Sequence, residues 1–494
     1  MVHCTARLAG VFFLCIIFFS LQSVALDAGE SIPPYTAQGC ITGEVTATSA
    51  IIRVRLTANP ERNPTSRFWK KGEFEWLPYS PDLPEEVPGR EGWVRILLSE
   101  QPDMNLVSKT PWKQVTPERD FSAQFRLDQL KPSTHYFYKT EISADESHSR
   151  TRFSEVQSFT TAPAESVFAA VEFTIITGTA ARSRDIFING VPWGFKSFQA
   201  MKAIEPDFFI HTGDNVYYDN DPPFATEKEL GRYQWHRMHS MPCVRDFFRT
   251  IPIYFIKDDH DYRWDDCFPQ QPVPHPLRAG SSMITDELGR ELFLEAVPMG
   301  DKTYRTFVWG RSVQIWLVEG RDYRSPNTMP DGPEKSIWGR QQKQWLKNGL
   351  IQSRCTFKLL VSPTPIIGPD RESKIDNHAN PRGFKTEGRE FLNWINESRI
   401  ENFYIICGDR HWQFHSIDST GVEELSCGCV SDTHAASNQP HWDKARQPYF
   451  RDGYGGFLHV KLCGTPEKPE VRFIFRDVDG IPVYVVTRQA VTKN

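Results

Sequence analysis

Three widely separated stretches of this 494-residue chain each run from an apolar segment into acids and histidines. Phe208 to Asp221 reads FFIHTGDNVYYDND, Ile253 to Asp261 reads IYFIKDDHD, and Phe403 to His411 reads FYIICGDRH. Carboxylates, imidazoles and a phenol are donors for hard and borderline cations. An apolar run that empties into glycine and acids reads as a buried parallel strand ending in a loop, where open α/β sheets place their ligands. In two-metal hydrolysis one shared carboxylate holds two ions about 3.5 to 4 Å apart. Asp214 fits that bridging place. Tyr217, in the same loop, reads as a phenolate ligand of a hard trivalent ion such as Fe³⁺, with a packing role as the competing reading. Asp259 and Asp409 then complete the second ion's oxygen ligands, and His411 supplies nitrogen to the first. Acidic loops are often only solvated turns. The threefold recurrence of one layout is what favours a metal centre.

Two further residues carry the expected chemistry. His260 is flanked by Asp258, Asp259 and Asp261, and neighbouring carboxylates hold a proton on an imidazole, which suits a general acid or a phosphate contact. Asp258 and Asp261 are weaker metal candidates, since either reads equally as the group that fixes His260 by a hydrogen bond. Arg410 lies between two proposed ligands and is placed to clamp an oxyanion, an ion pair with a loop acid being equally open. No P-loop, G-x-S-x-G elbow or H-E-x-x-H motif is present, which removes three common enzyme classes.

The elements that must position these residues follow from periodicity. From residue 164 onward strands alternate with helical segments: strands at 171–176, 208–211, 253–256, 313–318, 357–361 and 403–407, and helices at 195–204, 226–240, 339–351 and 387–398. Thr226-x-x-Glu229 reads as a capping box. Strand character returns at 471–475 and 482–486. Such βαβ alternation argues a layered α/β domain with largely parallel strands. Ahead of it, residues 39–163 are all-β, interrupted by a proline-rich insertion at 59–92. There the spacing L-x-P-x-T-x-Y-x-Y from Leu130 to Tyr138, closed by Phe159-Thr-Thr-Ala-Pro163, resembles a fibronectin type III-like sandwich.

The length favours two domains, and 24% charged with 39% hydrophobic residues is ordinary for a globular chain. A net charge of -5 gives no general attraction to nucleic acid or an anionic membrane. Arg7, the apolar run 11–19 and Ser23-Val24-Ala25 read as a secretory signal, residues 1–25, cleaved after about Ala25. No later segment is long and apolar enough to span a bilayer. An exported protein is therefore expected, periplasmic, surface-bound or secreted. Eight cysteines follow the signal with spacings that fit no compact disulfide framework, and Cys427 and Cys429 read as buried thiols.

The motifs HTGDNVYY, IKDDHDYRWDD and CGDRHWQFHS, with YRSPNTMPDGPEKSIWG from Tyr323 and SPTPIIGPDRESKIDNHAN from Ser362, resemble those of the PhoD-like phosphatases. These are a branch of the calcineurin-like metallophosphoesterases similar to purple acid phosphatases. The resemblance implies an α/β fold, a four-layer α/β/β/α domain at 165–494 preceded by the sandwich. It implies hydrolysis of phosphate esters by a metal-bound hydroxide at a dinuclear site, with iron and calcium or another divalent ion as cofactors. Carried over by motif, Asp214 bridges, Tyr217 and His411 serve the first ion, Asp259 and Asp409 the second, and His260 the leaving group or phosphate. One departure stands out. The family's first strand usually ends in a Cys or Asp ligand, whereas this chain has Thr177-Gly178-Thr179-Ala180, with Thr179 the positional match and Asn377 and His378 as the residues that would compensate by reaching in from their loop. That turn also motivates a second expectation, a weakened relative that binds phosphorylated or anionic ligands.

Overall fold

The computed structural model describes residues 32–65, 76–274, 280–437 and 443–491. The expected signal segment lies outside them, as does part of the proline-rich insertion. Two large sheets carry the molecule. The first has nine strands, in the order Pro482–Gln489, Lys468–Arg476, Phe457–Thr465, Val171–Ile176, Phe208–His211, Ile253–Phe255, Cys40–Gly43, Ala50–Arg55, Ser122–Leu127. The second has seven, in the order Arg305–Trp309, Val313–Leu317, Phe357–Ser362, Phe403–Cys407, Glu423–Cys427, Gln413–Ile417, Tyr449–Arg451.

Within the first sheet the strands at 171, 208 and 253 are parallel neighbours. In the second, the strands at 313, 357, 403 and 423 are parallel neighbours. Parallel strands covered on both faces read as continuous apolar runs, which is why FFI, IYF and YIIC show no alternation. The inner faces meet in one core that includes Phe173, Phe208 and Ile210 from the first sheet and Ile315, Leu359 and Ile406 from the second. On the outer side of the first sheet, Phe209, Ile253 and Phe255 pack with side chains of the helices Lys196–Lys202, Lys228–His239, Pro242–Phe248 and Asp286–Ala296. Outside the second, Trp316, Leu360 and Ile405 pack with the helices Gly339–Gln352 and Lys385–Glu397. The layers therefore run helix, sheet, sheet, helix.

The N-terminal β region divides its strands. Those at 40, 50 and 122 extend the nine-stranded sheet, the first pairing parallel to the 253 strand at Gly43 opposite Ile253. A separate six-stranded sheet is built on Gly92–Ser99 and His135–Ser143. Ile52, Val54 and Leu56 enter the inter-sheet core as their alternation predicts. The opposite face is buried too, because Arg53 donates to Glu295 O at 2.7 Å and Arg55 pairs with Asp120 at 2.9 Å, which satisfies both guanidinium groups. Tyr136 Oη accepts from Lys131 N at 2.9 Å and braces the turn after Leu130.

The four expected helices keep their boundaries within a few residues, with one correction, and the helices Pro242–Phe248 and Asp286–Ala296 are additional to them. Thr226 caps nothing: the helix begins at Lys228 behind Glu227, without a side-chain cap. Thr226 N is held by Phe224 O at 2.8 Å, and Glu227 Oε1 is taken by Tyr79 N at 2.9 Å. No helix among the described residues is long and apolar enough to cross a membrane. All eight described cysteines are free thiols.

Candidate metal centre

The carboxyl ends of the parallel strands in both sheets meet at one edge. Thr177, just past the 171 strand, bridges in parallel to Cys429, just past the 423 strand. Gly178 N donates to Gly213 O at 3.2 Å, and Val430 N donates to Gly178 O at 3.2 Å. The approach is close enough to demand glycine: a Cβ on Gly408 would lie 2.3 Å from Thr212 Oγ1 and 2.8 Å from Thr177 Oγ1. The loops that leave these ends carry every residue singled out from the sequence. Asp214 and Asp409 both turn with φ of 59°, the left-handed region that short polar side chains tolerate.

All five expected metal residues come together. Donor atoms of Asp214, Asp259 and His260 lie within 4.8 Å of one another, and so do those of Asp258, Asp259 and Asp409. Tyr217 Oη donates to Asp214 Oδ2 at 2.9 Å and lies 3.3 Å from His411 Nε2, which is itself 3.4 Å from Asp214 Oδ2. Asp214 is 1% exposed, yet its Oδ1 has no hydrogen-bond partner, and neither has Asp258 Oδ2. Burial raises the Asp214 pKa well above the usual carboxylate range, and the charge of Asp259 raises it further. Burial likewise pushes the Tyr217 phenol up, again reinforced by Asp214. His411 is lowered to about 3 by burial and by Arg410, so it presents a neutral nitrogen. Buried acids that repel one another, an orphaned carboxylate oxygen and a neutral imidazole form a donor set that a cation satisfies. The residues fit metal ions.

The other expected residues take definite places. His260 Nδ1 lies 2.7 Å from Asp219 Oδ1, and its ring packs on Tyr217 at 4.4 Å between centroids. Burial opposes its protonation, but Asp219, Asp259 and Asp214 outweigh burial and raise its pKa well above the usual value. Asp261 pins two loops together, accepting from Asn215 N at 2.9 Å and Asp258 N at 2.7 Å, so it is occupied structurally. Asp258 is paired with Arg321 Nε at 2.6 Å. Arg410 is held between Asp370, at 3.1 Å, and its neighbour Asp409. Two loop residues differ from expectation. His378 turns its Nε2 to Glu387 at 3.0 Å and stays out of the centre, whereas Asn377 donates to Asp370 at 2.5 Å beside Arg410. Thr179 is not the residue that faces the ligands, for its hydroxyl donates to Asn215 O at 2.7 Å and lies 3.2 Å from His211 Nε2.

Sequence reasoning missed several neighbours. Asp370 and Asp376 place oxygens within 4.8 Å of one another and of Asp409, and Lys374 pairs with Asp266 at 2.6 Å. His434 was also missed, and its Nε2 sits 2.7 Å from Tyr217 Oη. The sequence carries no motif for it: the 423 strand pairs parallel to the 403 strand in the structure, and its outgoing loop therefore reaches the same edge. An open concavity of about 2030 Å³ lies elsewhere, bordered by Thr46, Glu165, Arg354 and Arg399 at the opposite strand ends, and it contains none of these donors.

Two facing sheets between helices, with carboxylates and imidazoles gathered where their strands end, define a layered α/β protein with a candidate metal centre. The particular family follows from the comparisons. The PhoD-like phosphatase profile matches residues 188–453, and the PhoD-like phosphatase N-terminal domain profile matches residues 23–163. The chain belongs to the PhoD-like phosphatase family. Alkaline phosphatase D of Bacillus subtilis (strain 168) is 19% identical over 56% of this chain and 56% of that protein, so the match spans about half the length of this curated relative. A solved structure of PhoD shares the fold with a TM-score of 0.69 at 15% identity, covering 94% of each chain. Purple acid phosphatase PPD1 from yellow lupin (Lupinus luteus) seeds does so with a TM-score of 0.61 at 12% identity, covering 91% of this chain and 73% of that one.

Proposed function

We propose that this chain is a metal-dependent hydrolase of phosphate esters, with Asp214 shared between two cations, Tyr217 and His411 on one, and Asp259 and Asp409 on the other. The convergence of these side chains from three strand ends, centred on Asp214, is the observation that carries the reading. Cations bound there would supply Lewis-acid polarisation of a phosphoryl oxygen and would lower the pKa of water. The protein's own residues do the rest. Asp219 fixes His260 by its Nδ1 and keeps a proton on the ring, which makes His260 the donor to a leaving alkoxide. Arg410, oriented by Asp370 and Asp409, adds a fixed positive charge beside the same edge for the equatorial oxygens. His411 is part-exposed, so the centre opens to solvent on that side.

Iron with calcium or another divalent ion fits the two donor sets, one mixing phenol and imidazole, the other rich in carboxylate. Residues 39–163 are read as a fibronectin III-like sandwich that supports the phosphatase domain at 165–494, and residues 1–25 as a signal for export. Asp214→Asn tests the function: the variant loses bound metal and turnover of a chromogenic phosphate monoester while its circular dichroism is retained. Undiminished turnover in that variant contradicts the reading.

A further inference from the structure

The turn after the 171 strand contributes no side chain to the centre, and the structure shows what fills the place. Gly178 has φ of 57°. A Cβ built on it would lie 2.9 Å from His411 Nε2 and 3.0 Å from His434 Nε2, so both imidazole nitrogens aim at the volume a side chain there would enter. The backbone cannot step aside, because Gly178 is bonded on both sides, by its N–H to Gly213 and by its carbonyl to Val430. A side chain at this position would have to displace the ends of both imidazoles. This chain keeps the imidazoles.

His434 is also oriented as a ligand is. Its Nδ1 lies 3.3 Å from Ser183 Oγ, which leaves Nε2 to point at Tyr217 Oη. Its ring lies 4.2 Å from that of His411 between centroids. The loop that carries it is tied to the same serine, with Ser431 Oγ and Thr433 Oγ1 donating to Ser183 O at 2.6 and 3.0 Å. A partner on the remote nitrogen that sets the ring and its tautomer is the usual support of a metal-bound histidine.

We propose that His434 is a metal-ligating residue of the Tyr217 half of the centre, standing in for the side chain that Gly178 lacks. This rests on the reading of the site as a metal centre. The half then offers two imidazole nitrogens with the Tyr217 phenol and the Asp214 carboxylate, a mixed nitrogen and oxygen set that favours a borderline transition-metal ion over calcium.

The test uses the full mature chain, stripped by chelation and reloaded with Co²⁺, with ions per chain counted by elemental analysis and the visible spectrum recorded. Wild type is expected to take up about two ions, and His434→Gln about one fewer, with changed visible bands that added imidazole restores. His434→Gln with the wild-type count and spectrum overturns the proposal while the centre stands. No uptake by wild type overturns the metal centre itself, and this proposal with it. Should the variant not fold, pulsed electron paramagnetic resonance of Cu²⁺-loaded wild type carrying ¹⁵N-histidine decides: two bound imidazoles on the ion nearest Tyr217 support His434, one overturns it.

Discussion

The half of the centre around Tyr217 and the half around Asp409 are built in opposite ways. Around Tyr217 stand neutral donors, His411 and His434, with the one carboxylate of Asp214, and among the described residues no guanidinium or ammonium group forms a salt bridge with that carboxylate. Around Asp409 the acids Asp258, Asp259, Asp370 and Asp376 are interleaved with Arg321, Arg410 and Lys374. In the first half the positive neighbour of the ligands is the protonated His260 beside Asp214, itself anchored on Asp219. In the second, a cation competes with positive charges already paired to the same oxygens, so its affinity is lowered by what it must displace. The difference teaches that two ions at one edge need not be held alike: the ion near Asp409 should exchange readily and the one near Tyr217 should persist.

Removing the shared ligand erases the comparison. Asp214→Asn should lower turnover by about 10³-fold or more and empty both halves, read by kinetics and elemental analysis together. Graded chelation sharpens it instead: increasing chelator is expected to strip the Asp409 half first, giving a species with one ion per chain, and simultaneous loss of both ions would break the asymmetry.

Next in size is Arg321→Met. Its guanidinium is fully buried between Asp258, Asp259 and Asp376, and leaving those acids uncompensated should destabilise the fold by about 3 to 5 kcal/mol. Denaturant melts measure this, and added Ca²⁺ should recover part of it in the variant. Gly408→Ala acts on the frame that both halves share. Its Cβ would meet Thr212 and Thr177 where the two sheets touch, at a cost of about 1 to 3 kcal/mol.

The smallest effect serves as a control away from the centre. His236 is buried between Glu86 and Asp120, each at 2.7 Å. Burial and Arg55 lower its pKa, Asp120 and Glu86 raise it, and the net direction is upward. The stability it contributes is therefore fully present below the unfolded value of about 6.5 and is lost as pH rises through the higher folded value. His236→Gln should flatten that slope in melts above pH 6.5 without changing the metal count.

Much of this edge was legible in the sequence because strand-end glycines, acids and histidines sit in contiguous motifs, and Asp214, Tyr217, Asp259, Asp409 and His411 all fell inside them. What was not legible depends on contacts between distant segments. His434 has no motif of its own and acquires meaning only through its loop being tied to Ser183. Thr179 held the matching position in the alignment of motifs, yet its hydroxyl is bonded to Asn215 O and lies beside His211, and it is the missing side chain of Gly178 that shapes the site. The capping box Thr226-x-x-Glu229 failed because the helix starts one residue later than it requires, at Lys228 behind Glu227.

The most direct test is anomalous diffraction from crystals of the protein grown with Mn²⁺. The account predicts two peaks flanking Asp214, one among Tyr217, His411 and His434 and one between Asp259 and Asp409. Peaks at other places, or none at this edge, would contradict it.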